Sequence, residues 1–304
     1  MATGNTISNP ANRLRHLFLQ ADIVMKLVYI NLALFLIVAL CNVFARLFNA
    51  FPPSWPLWLE LPADIGTFLT RPWTLVTYMF MHAGGWHLLF NMLWLYGFGR
   101  IFQLCFSSRH LRGLYLLGGI CGGLFYMIAY HVFPYFTDRI SGSYLVGASA
   151  SVLAIVVATA VRTPDFSLRF FLIGSIRLKY VALFMVVLDL LFLASDNAGG
   201  HLAHVGGALA GWWFAYSLSK GHDPTRWINA LIDLCMGKVA MRKKRKSPKM
   251  SIHYGSRQDE YDYNARKKAE SEAVDRILEK IKKSGYTSLS EEEKRQLFDA
   301  SNRK

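Results

Sequence analysis

Apolar and polar positions divide this chain of 304 residues into two parts. Before about residue 219, the apolar residues fall in runs of roughly 18–25, the length of helix that crosses the hydrocarbon core of a bilayer. The remaining residues are mostly polar and charged. The pattern predicts an all-α polytopic membrane protein followed by a polar tail, and the mean hydropathy of +0.25 agrees with this class.

The apolar runs predict a bundle of six transmembrane helices. They cover about residues 24–47, 86–105, 111–133, 146–161, 180–194 and 202–218. Between the first two runs, residues 49–82 contain five prolines and three tryptophans. Because proline interrupts a helix and tryptophan favours the headgroup level, we expect an interfacial first loop with short helical pieces.

Basic residues predict the orientation of these helices. Six spans place both termini on one side of the membrane. The connections on that side carry seven basic residues, Arg100, Arg109, Arg112, Arg162, Arg169, Arg177 and Lys179. The opposite connections carry Arg71 and Arg139. The positive-inside rule therefore predicts cytoplasmic termini, which we assign to a bacterial inner membrane, with His87, Ser149 and His204 towards the outer surface.

The chain divides into four predicted segments. They are a cytoplasmic lead at 1–23, the six-span domain at 24–218, a linker at 219–260 and a small helical cytoplasmic tail at 261–304. The net charge is +14. In the linker, the amphipathic stretch 226–240 and the basic cluster 242–249 favour contact with anionic lipid over binding of nucleic acid. In the tail, Ser290 and Glu293 fit a helix capping box, and the tail carries no recognisable chemistry.

Two polar side chains stand out inside the predicted spans, Ser149 and His204. Ser149 follows Gly147 at the start of the fourth span, and a glycine there permits a turn that exposes the hydroxyl. His204 lies at a similar depth in the sixth span, where a histidine is costly and indicates function. Gly207 and Gly211 share its helix face and allow a neighbouring backbone to approach. We predict that His204 accepts the Ser149 proton in nucleophilic catalysis.

Other polar groups at this depth have more than one interpretation. His87 and Asn91 share a face of the second span, and they suit either oxyanion donors, together with the Ser149 backbone N–H, or hydrogen bonds between helices. His82 is expected to order the preceding loop. Asp189, in the fifth span, is expected about four turns from the outer end of its helix. We interpret it as a packing or network residue, so that no acid completes a triad.

The order and spacing of these residues resemble a known family. The resemblance rests on three segments, His82-Ala-Gly-Gly-Trp-His87-Leu-Leu-Phe-Asn91, Gly147-Ala-Ser149 and Ala203-His204-Val-Gly-Gly-Ala-Leu-Ala-Gly211. Together they are similar to the motifs of the rhomboid intramembrane serine proteases over residues 70–215. The resemblance implies a six-helix core, a Ser149–His204 dyad without an acid, and an oxyanion pocket from His87 and Asn91. It also implies a serine-type endopeptidase that cleaves transmembrane helices of other membrane proteins.

Two positions depart from the family pattern. Rhomboids commonly have Gly after the serine, where this chain has Ala150, and we expect its methyl group to narrow the pocket. They commonly have Trp-Arg in the first loop. Here Trp73 is followed by Thr74, with Arg71 on the other side. We expect this second change to affect the stability of the loop more than the chemistry.

Three other functions fit the sequence less well. A metal site formed by His82, His87, His201 and His204 lacks the acidic ligands and the His-Glu-x-x-His helix of a metalloprotease, so we expect no metal and no cofactor. A rhomboid-like protein that binds membrane clients without cleaving them would be indicated by loss of Ser149 or His204, and both are present. A transporter would be indicated by an inverted repeat or a pair of broken helices, which this sequence does not show.

Overall fold

The computed structural model describes residues 10–50, 52, 54–170, 174–237 and 257–302. The chain separates into two compact units, residues 1–239 and 240–304. The basic cluster at 242–249, for which we predict contact with anionic lipid, lies outside the described residues.

The first unit is a bundle of α-helices. In chain order its described helices are α1 (Pro10–Gln20), α2 (Ile23–Phe48), α3 (Ile65–Thr70), α4 (Thr74–Thr77), α5 (Gly85–Phe102), α6 (Ser108–Val132), α7 (Ser149–Arg162), α8 (Leu178–Leu191), α9 (Ala198–Ser219) and α10 (Arg226–Cys235). The six predicted spans correspond to α2 and α5 to α9, with boundaries that agree to within about one helical turn. The predicted all-α bundle is confirmed.

Two of the described helices, α2 and α6, are by themselves long and apolar enough to cross a membrane. Helix α7 is apolar but shorter. Local capping sets the ends of α2. The Asp22 carboxylate accepts hydrogen bonds from the N–H groups of Val24 and Met25, and Asn49 ends the helix in the left-handed conformation.

Helices α6, α7 and α9 form the centre of the bundle because small residues let their backbones approach closely. A Cβ atom on Gly207 or Gly211 would collide with a backbone carbonyl oxygen of α7, that of Ala150 or Ala154 respectively. A Cβ atom on Gly122 of α6 would lie 2.7 Å from the Cβ atom of Ala150. Helix α5 packs against α7, and α2 packs against α5. The start of α7 is therefore held directly against α9.

The first loop contains the short helical pieces that its sequence predicts. Helices α3 and α4 are accompanied by 3₁₀ turns at Trp55–Trp58 and Tyr78–Phe80. Strand β1 (Leu61–Pro62) pairs antiparallel with β2 (Tyr144–Leu145). This pairing ties the loop to the segment that leads into α7.

Arg71 and two tryptophans hold the first loop together. The Arg71 guanidinium lies over the Trp58 ring at 4.3 Å, and Trp73 Nε1 donates to the backbone carbonyl of Trp58 at 2.8 Å. Thr74 is fully buried, and its hydroxyl donates to the Arg71 carbonyl at 2.7 Å. This chain therefore lacks the Trp-Arg pair of the family but still has an arginine packed on the loop. That arginine, Arg71, precedes Trp73 in the sequence instead of following it.

A short antiparallel hairpin, β3 (Ser167–Phe170) with β4 (Gly174–Arg177), connects α7 to α8. The pattern of apolar positions does not predict this hairpin. Beyond α9, the predicted amphipathic helix is present as α10. The Asp233 carboxylate of α10 accepts hydrogen bonds from Arg109 and Arg112 of α6, both at 2.6 Å. Trp227 and Leu231 remain exposed on α10, whereas Ile228 is buried.

The second unit contains a helical hairpin. Helix α11 (Arg257–Ser284) is followed by a 3₁₀ turn at Tyr286–Ser288 and by α12 (Glu291–Asn302). The Ser290 N–H donates to the Glu293 carboxylate at 2.7 Å, and the Glu293 N–H donates to the Ser290 hydroxyl at 3.3 Å. This is the capping box that the sequence predicts.

Candidate active site

Ser149 is the first residue of α7 because the chain turns sharply just before it. Gly147 has a φ angle of +125°, a conformation that residues with a side chain rarely adopt. Its N–H donates to the Tyr78 carbonyl at 3.0 Å, which fixes the turn to the first loop. As the first helical residue, Ser149 has a backbone N–H without a partner inside the helix. A hydroxyl and an N–H donor are thus presented together at one helix start.

Ser149 and His204 line the same cavity, which has a volume of about 140 Å³. Its walls come from four helices, and the lining residues are Phe90, Asn91, Trp94, Ser149, Val152, Leu153, Met185 and His204. Among the hydrogen bonds of the described residues there is none between Ser149 and His204. Such bonds are often long in free enzymes and tighten when substrate binds.

His204 has a carboxylate partner that the sequence analysis missed. The Asp189 Oδ1 atom lies 2.7 Å from His204 Nδ1. Asp189 is buried, with 6% of its surface exposed, and it lies in the last turn of α8 rather than four turns from the helix end. The expectation that no acid is placed beside His204 is therefore wrong. The two residues are 15 positions apart on different helices, and no local spacing signals their contact.

His201 approaches the same carboxylate oxygen. Its Nδ1 atom lies 2.8 Å from Asp189 Oδ1, and its ring packs on Phe192 with a centroid distance of 5.8 Å. Since His201 and His204 are three residues apart on α9, both rings reach α8 from one helix face.

The cluster of Asp189, His201 and His204 fits hydrogen bonding better than metal binding. Their potential ligand atoms all lie within 4.8 Å of one another. Tetrahedral zinc with bonds of about 2.0 Å separates neighbouring ligand atoms by about 3.3 Å. Here each histidine nitrogen approaches the carboxylate oxygen to 2.7–2.8 Å, the distance of a charge-assisted N–H···O bond.

His87 and Asn91 lie beside Ser149, as candidates for oxyanion donors should. A Cβ atom added to Gly147 would lie 2.9 Å from His87 Nε2 and 3.5 Å from Ser149 Oγ. The His87 Nδ1 atom accepts a long bond from the Ala83 N–H at 3.4 Å, which favours a proton on Nε2. Asn91 is buried, lines the cavity and donates to the His87 carbonyl at 2.8 Å.

His82 lies outside the cavity lining and contacts His87. The centroids of the two rings are 5.3 Å apart in an edge-to-face arrangement. Both ring nitrogens of His82 are buried. Burial, followed by the proximity of His87, lowers the pKa of His82 to about 4. His82 is therefore a neutral packing partner of His87.

Ala150 does not narrow the cavity. Its side chain is buried, packs against Gly122 of α6 and is absent from the residues that line the cavity. The expectation that its methyl group constricts the pocket is therefore wrong, because the helical turn directs this side chain towards α6 while Ser149 faces α5 and α9.

Comparison with known proteins places this arrangement in a family. A family model described as the Rhomboid domain matches residues 69–221, which is half of the chain and includes every candidate site residue. The chain belongs to the rhomboid family. Rhomboids include intramembrane serine proteases, and this membership makes the chain an integral membrane protein. A second model, a family of unknown function (DUF6576), matches residues 259–303 in the tail.

Three relatives of this rhomboid show how much of each sequence the similarity covers. The first is "RHOMBOID-like protein 12, mitochondrial" of Arabidopsis thaliana, 28% identical over 44% of this chain and 43% of the relative. The second is "Presenilin-associated rhomboid-like protein A, mitochondrial" of Danio rerio, 29% identical over 51% of this chain and 39% of the relative. The third is "Rhomboid-related protein 1" of Caenorhabditis elegans, 29% identical over 47% of this chain and 39% of the relative.

The chain thus spans about two fifths of the length of the curated relatives that it matches. Two of their names place the relative in mitochondria. The comparisons therefore give no support to a bacterial inner membrane as the location of this rhomboid.

Proposed function

We propose that this rhomboid is an intramembrane serine endopeptidase that cleaves transmembrane segments of other membrane proteins. The observation that carries the proposal is the shared cavity of Ser149 and His204, bordered by Asn91 and adjacent to His87. A nucleophile, a base and donors for an oxyanion then converge from helices α5, α7 and α9.

The proposed reaction begins when Ser149 Oγ attacks the scissile carbonyl carbon and passes its proton to His204 Nε2. The carbonyl electron pair moves to oxygen, and the N–H of Ser149, with His87 and Asn91, stabilises the oxyanion. Collapse of this intermediate breaks the C–N bond, and His204 gives its proton to the departing amine. Water, activated by the same histidine, then hydrolyses the acyl-enzyme and regenerates Ser149.

Substrate is proposed to enter laterally between α5 and α8. Phe90 and Trp94 line the cavity from α5, and Met185 lines it from α8. Leu183, Phe184 and Leu191 of α8 are exposed, as expected of a helix that is only partly packed into the bundle. We assign the gate to α8 together with the connection at residues 195–200.

The gate is tested with a cross-link between α5 and α8. Cysteines replace Trp94 and Met185 in a variant that lacks the free cysteines Cys41, Cys105, Cys121 and Cys235. A bismaleimide link should stop cleavage of a transmembrane substrate while a small serine-directed probe still labels the protein. The unlinked double variant is the control, and undiminished cleavage after complete linking would contradict the gate.

The basic connections are proposed to orient the domain. Arg109, Arg112 and Arg162 lie at the ends of α6 and α7 opposite to Ser149 and face the compartment of synthesis under the positive-inside rule. The cavity then opens towards the other side of the membrane. Labelling of single engineered cysteines with an impermeant maleimide in sealed vesicles tests this orientation.

The activity is tested by labelling detergent-solubilised protein with a fluorescent fluorophosphonate. Wild type should be labelled, and Ser149→Ala and His204→Ala should not. Ser151→Ala is the matched serine control, because Ser151 lies two residues away and is fully buried. His131→Ala is the histidine control, because His131 is exposed in the last turn of α6.

The outcomes separate the candidate functions. Label that persists in Ser149→Ala would show that the probe reacts with another residue and that Ser149 is not the nucleophile. A folded wild type that takes no label would favour a rhomboid-like protein that binds clients without cleaving them. Labelling that a chelator abolishes would restore the metal alternative.

A further inference from the structure

Asp189 is placed where it acts on the base of the proposed reaction. Its Oδ1 atom lies 2.7 Å from His204 Nδ1 and 2.8 Å from His201 Nδ1. An ionised carboxylate accepts hydrogen bonds and donates none, so both Nδ1 atoms carry protons when they bond to it. A neutral His204 in this state has its lone pair on Nε2, the nitrogen on the far side of the ring. That is the tautomer required to accept the proton of Ser149.

We propose that Asp189 is a positioning residue that completes an Asp189–His204–Ser149 triad, an inference that rests on the proposed protease function. The dyad implied by family resemblance contains no acid. In this chain the acid is supplied by α8, in the helix turn next to the connection to α9. Asp189 fixes the orientation and tautomer of His204 and stabilises the imidazolium that forms during attack.

The proton transfers balance without a change in the charge of Asp189. As Ser149 Oγ forms its bond to the carbonyl carbon, its proton moves to His204 Nε2 and the imidazole becomes a cation. The carboxylate keeps its negative charge and accepts a stronger hydrogen bond from Nδ1. When the C–N bond breaks, the proton leaves Nε2 for the amine, and His204 returns to its neutral tautomer.

A purely structural role, in which Asp189 bridges α8 and α9 by hydrogen bonds, does not explain why this position carries a carboxylate. A carboxylate inside a membrane bundle is costly, and a buried charge is tolerated when it is fully hydrogen-bonded. An asparagine would bridge α8 and α9 with less desolvation. The two histidine donors on one oxygen hold the carboxylate in place, and His201 thereby orients Asp189 for His204.

The charged and titratable groups around His204 come from three helices. Asp189 faces it from α8, His201 from its own helix and His87 from α5, close enough to interact electrostatically. Residues 113–130 of α6 and 149–161 of α7 contain no Asp, Glu, Lys, Arg or His. Asp189 is the only Asp or Glu within helices α5 to α9 of the described structure.

The test measures the rate of fluorophosphonate labelling against pH for wild type and Asp189→Asn. We expect the rate to fall by about 100- to 10,000-fold, because an amide can donate to Nδ1 and hold His204 in the wrong tautomer. The pH dependence of the rate should change as well, because the carboxylate that pairs with the imidazolium is gone. The concentration of probe that half-saturates the rate should stay the same. Asp189→Glu should recover part of the rate.

Two further variants keep the test decisive. Asp138→Asn makes the same change at an exposed position in the outer connection and should leave the profile unchanged. If Asp189→Asn fails to fold, as judged by thermal unfolding, Asp189→Ser is measured in its place and should show the same change of the pH profile.

The results distinguish failure of this inference from failure of the proposed function. Wild-type labelling that is lost in Ser149→Ala and His204→Ala, but keeps its rate and pH profile in Asp189→Asn, would leave the protease function intact and reduce Asp189 to a structural link. Folded wild type that takes no label would overturn both.

Discussion

The contact between α9 and α7 at Gly207 predicts a large loss of the proposed activity when a residue that takes no part in the reaction is substituted. Gly207 lies one turn beyond His204, and a Cβ atom there would collide with the carbonyl oxygen of Ala150, the residue after the proposed nucleophile Ser149. In Gly207→Ala the added methyl group therefore acts directly between the helix segments that carry Ser149 and His204. Neither the backbone oxygen nor the methyl group can rotate away, so the helices must separate.

The expected magnitude follows from this geometry. Restoring van der Waals separation moves the two helices apart by about 1 Å at this point. Overpacking of this kind costs about 1–3 kcal/mol of folding free energy. A displacement of about 1 Å between reacting groups reduces the rate by about 100-fold. We therefore expect a folded protein with a lower melting temperature and a labelling rate lower by about two orders of magnitude.

The assay compares Gly207→Ala with Gly97→Ala. Gly97 lies within α5, and a Cβ atom there would meet nothing within 4 Å, so alanine should stabilise the helix by about 0.5–1 kcal/mol and leave labelling unchanged. Both proteins are measured for fluorophosphonate labelling rate and for thermal unfolding in the same detergent. A wild-type labelling rate in Gly207→Ala would refute the reasoning, because it would mean that the base and nucleophile do not depend on this contact.

Three further substitutions test other parts of the structure. Ala150→Gly should lower stability by about 1–2 kcal/mol, through loss of the methyl group packed on Gly122 and of helix propensity, without raising the labelling rate; faster labelling would show that the methyl group does constrict the site. Arg71→Lys should lower the melting temperature by an amount equivalent to about 0.5–1 kcal/mol, because the planar contact with Trp58 is lost; an unchanged melting temperature would contradict this account of the loop. His82→Asn tests the pKa of His82, which is lowered to about 4 in the folded protein from about 6.5 in the unfolded chain. Between these two pKa values the unfolded chain binds more protons at His82 than the folded protein does. The contribution of neutral His82 to the free energy of unfolding is therefore fully present above about pH 6.5 and is lost as the pH falls towards 4. The melting temperature of the wild type should fall more steeply over this range than that of His82→Asn, and equal slopes would contradict the shift.

Local patterns were sufficient to predict the helices and three of the eight residues that line the cavity, Asn91, Ser149 and His204. Long apolar runs require helices because their backbone hydrogen bonds must be made internally in a membrane, and α2 and α5 to α9 follow those runs. Gly147 and Ser149 are two positions apart along the chain, and His87 and Asn91 are one helical turn apart. The grouping within each pair therefore follows from local geometry. The Ser290–Glu293 capping box is local for the same reason.

Tertiary packing decided the features that join distant parts of the chain. The pairing of β1 with β2 and the hydrogen bond between Asp189 and His204 depend on how separate segments are arranged around their axes. The direction of the Ala150 methyl group likewise depends on the rotation of α7 about its axis, which decides the neighbouring helix that this side chain contacts. By itself the sequence determined where helices form and which polar groups they carry. Only the close approach of the α6, α7 and α9 backbones decided which groups meet, because the rotation of each helix is set by the small residues that it packs against.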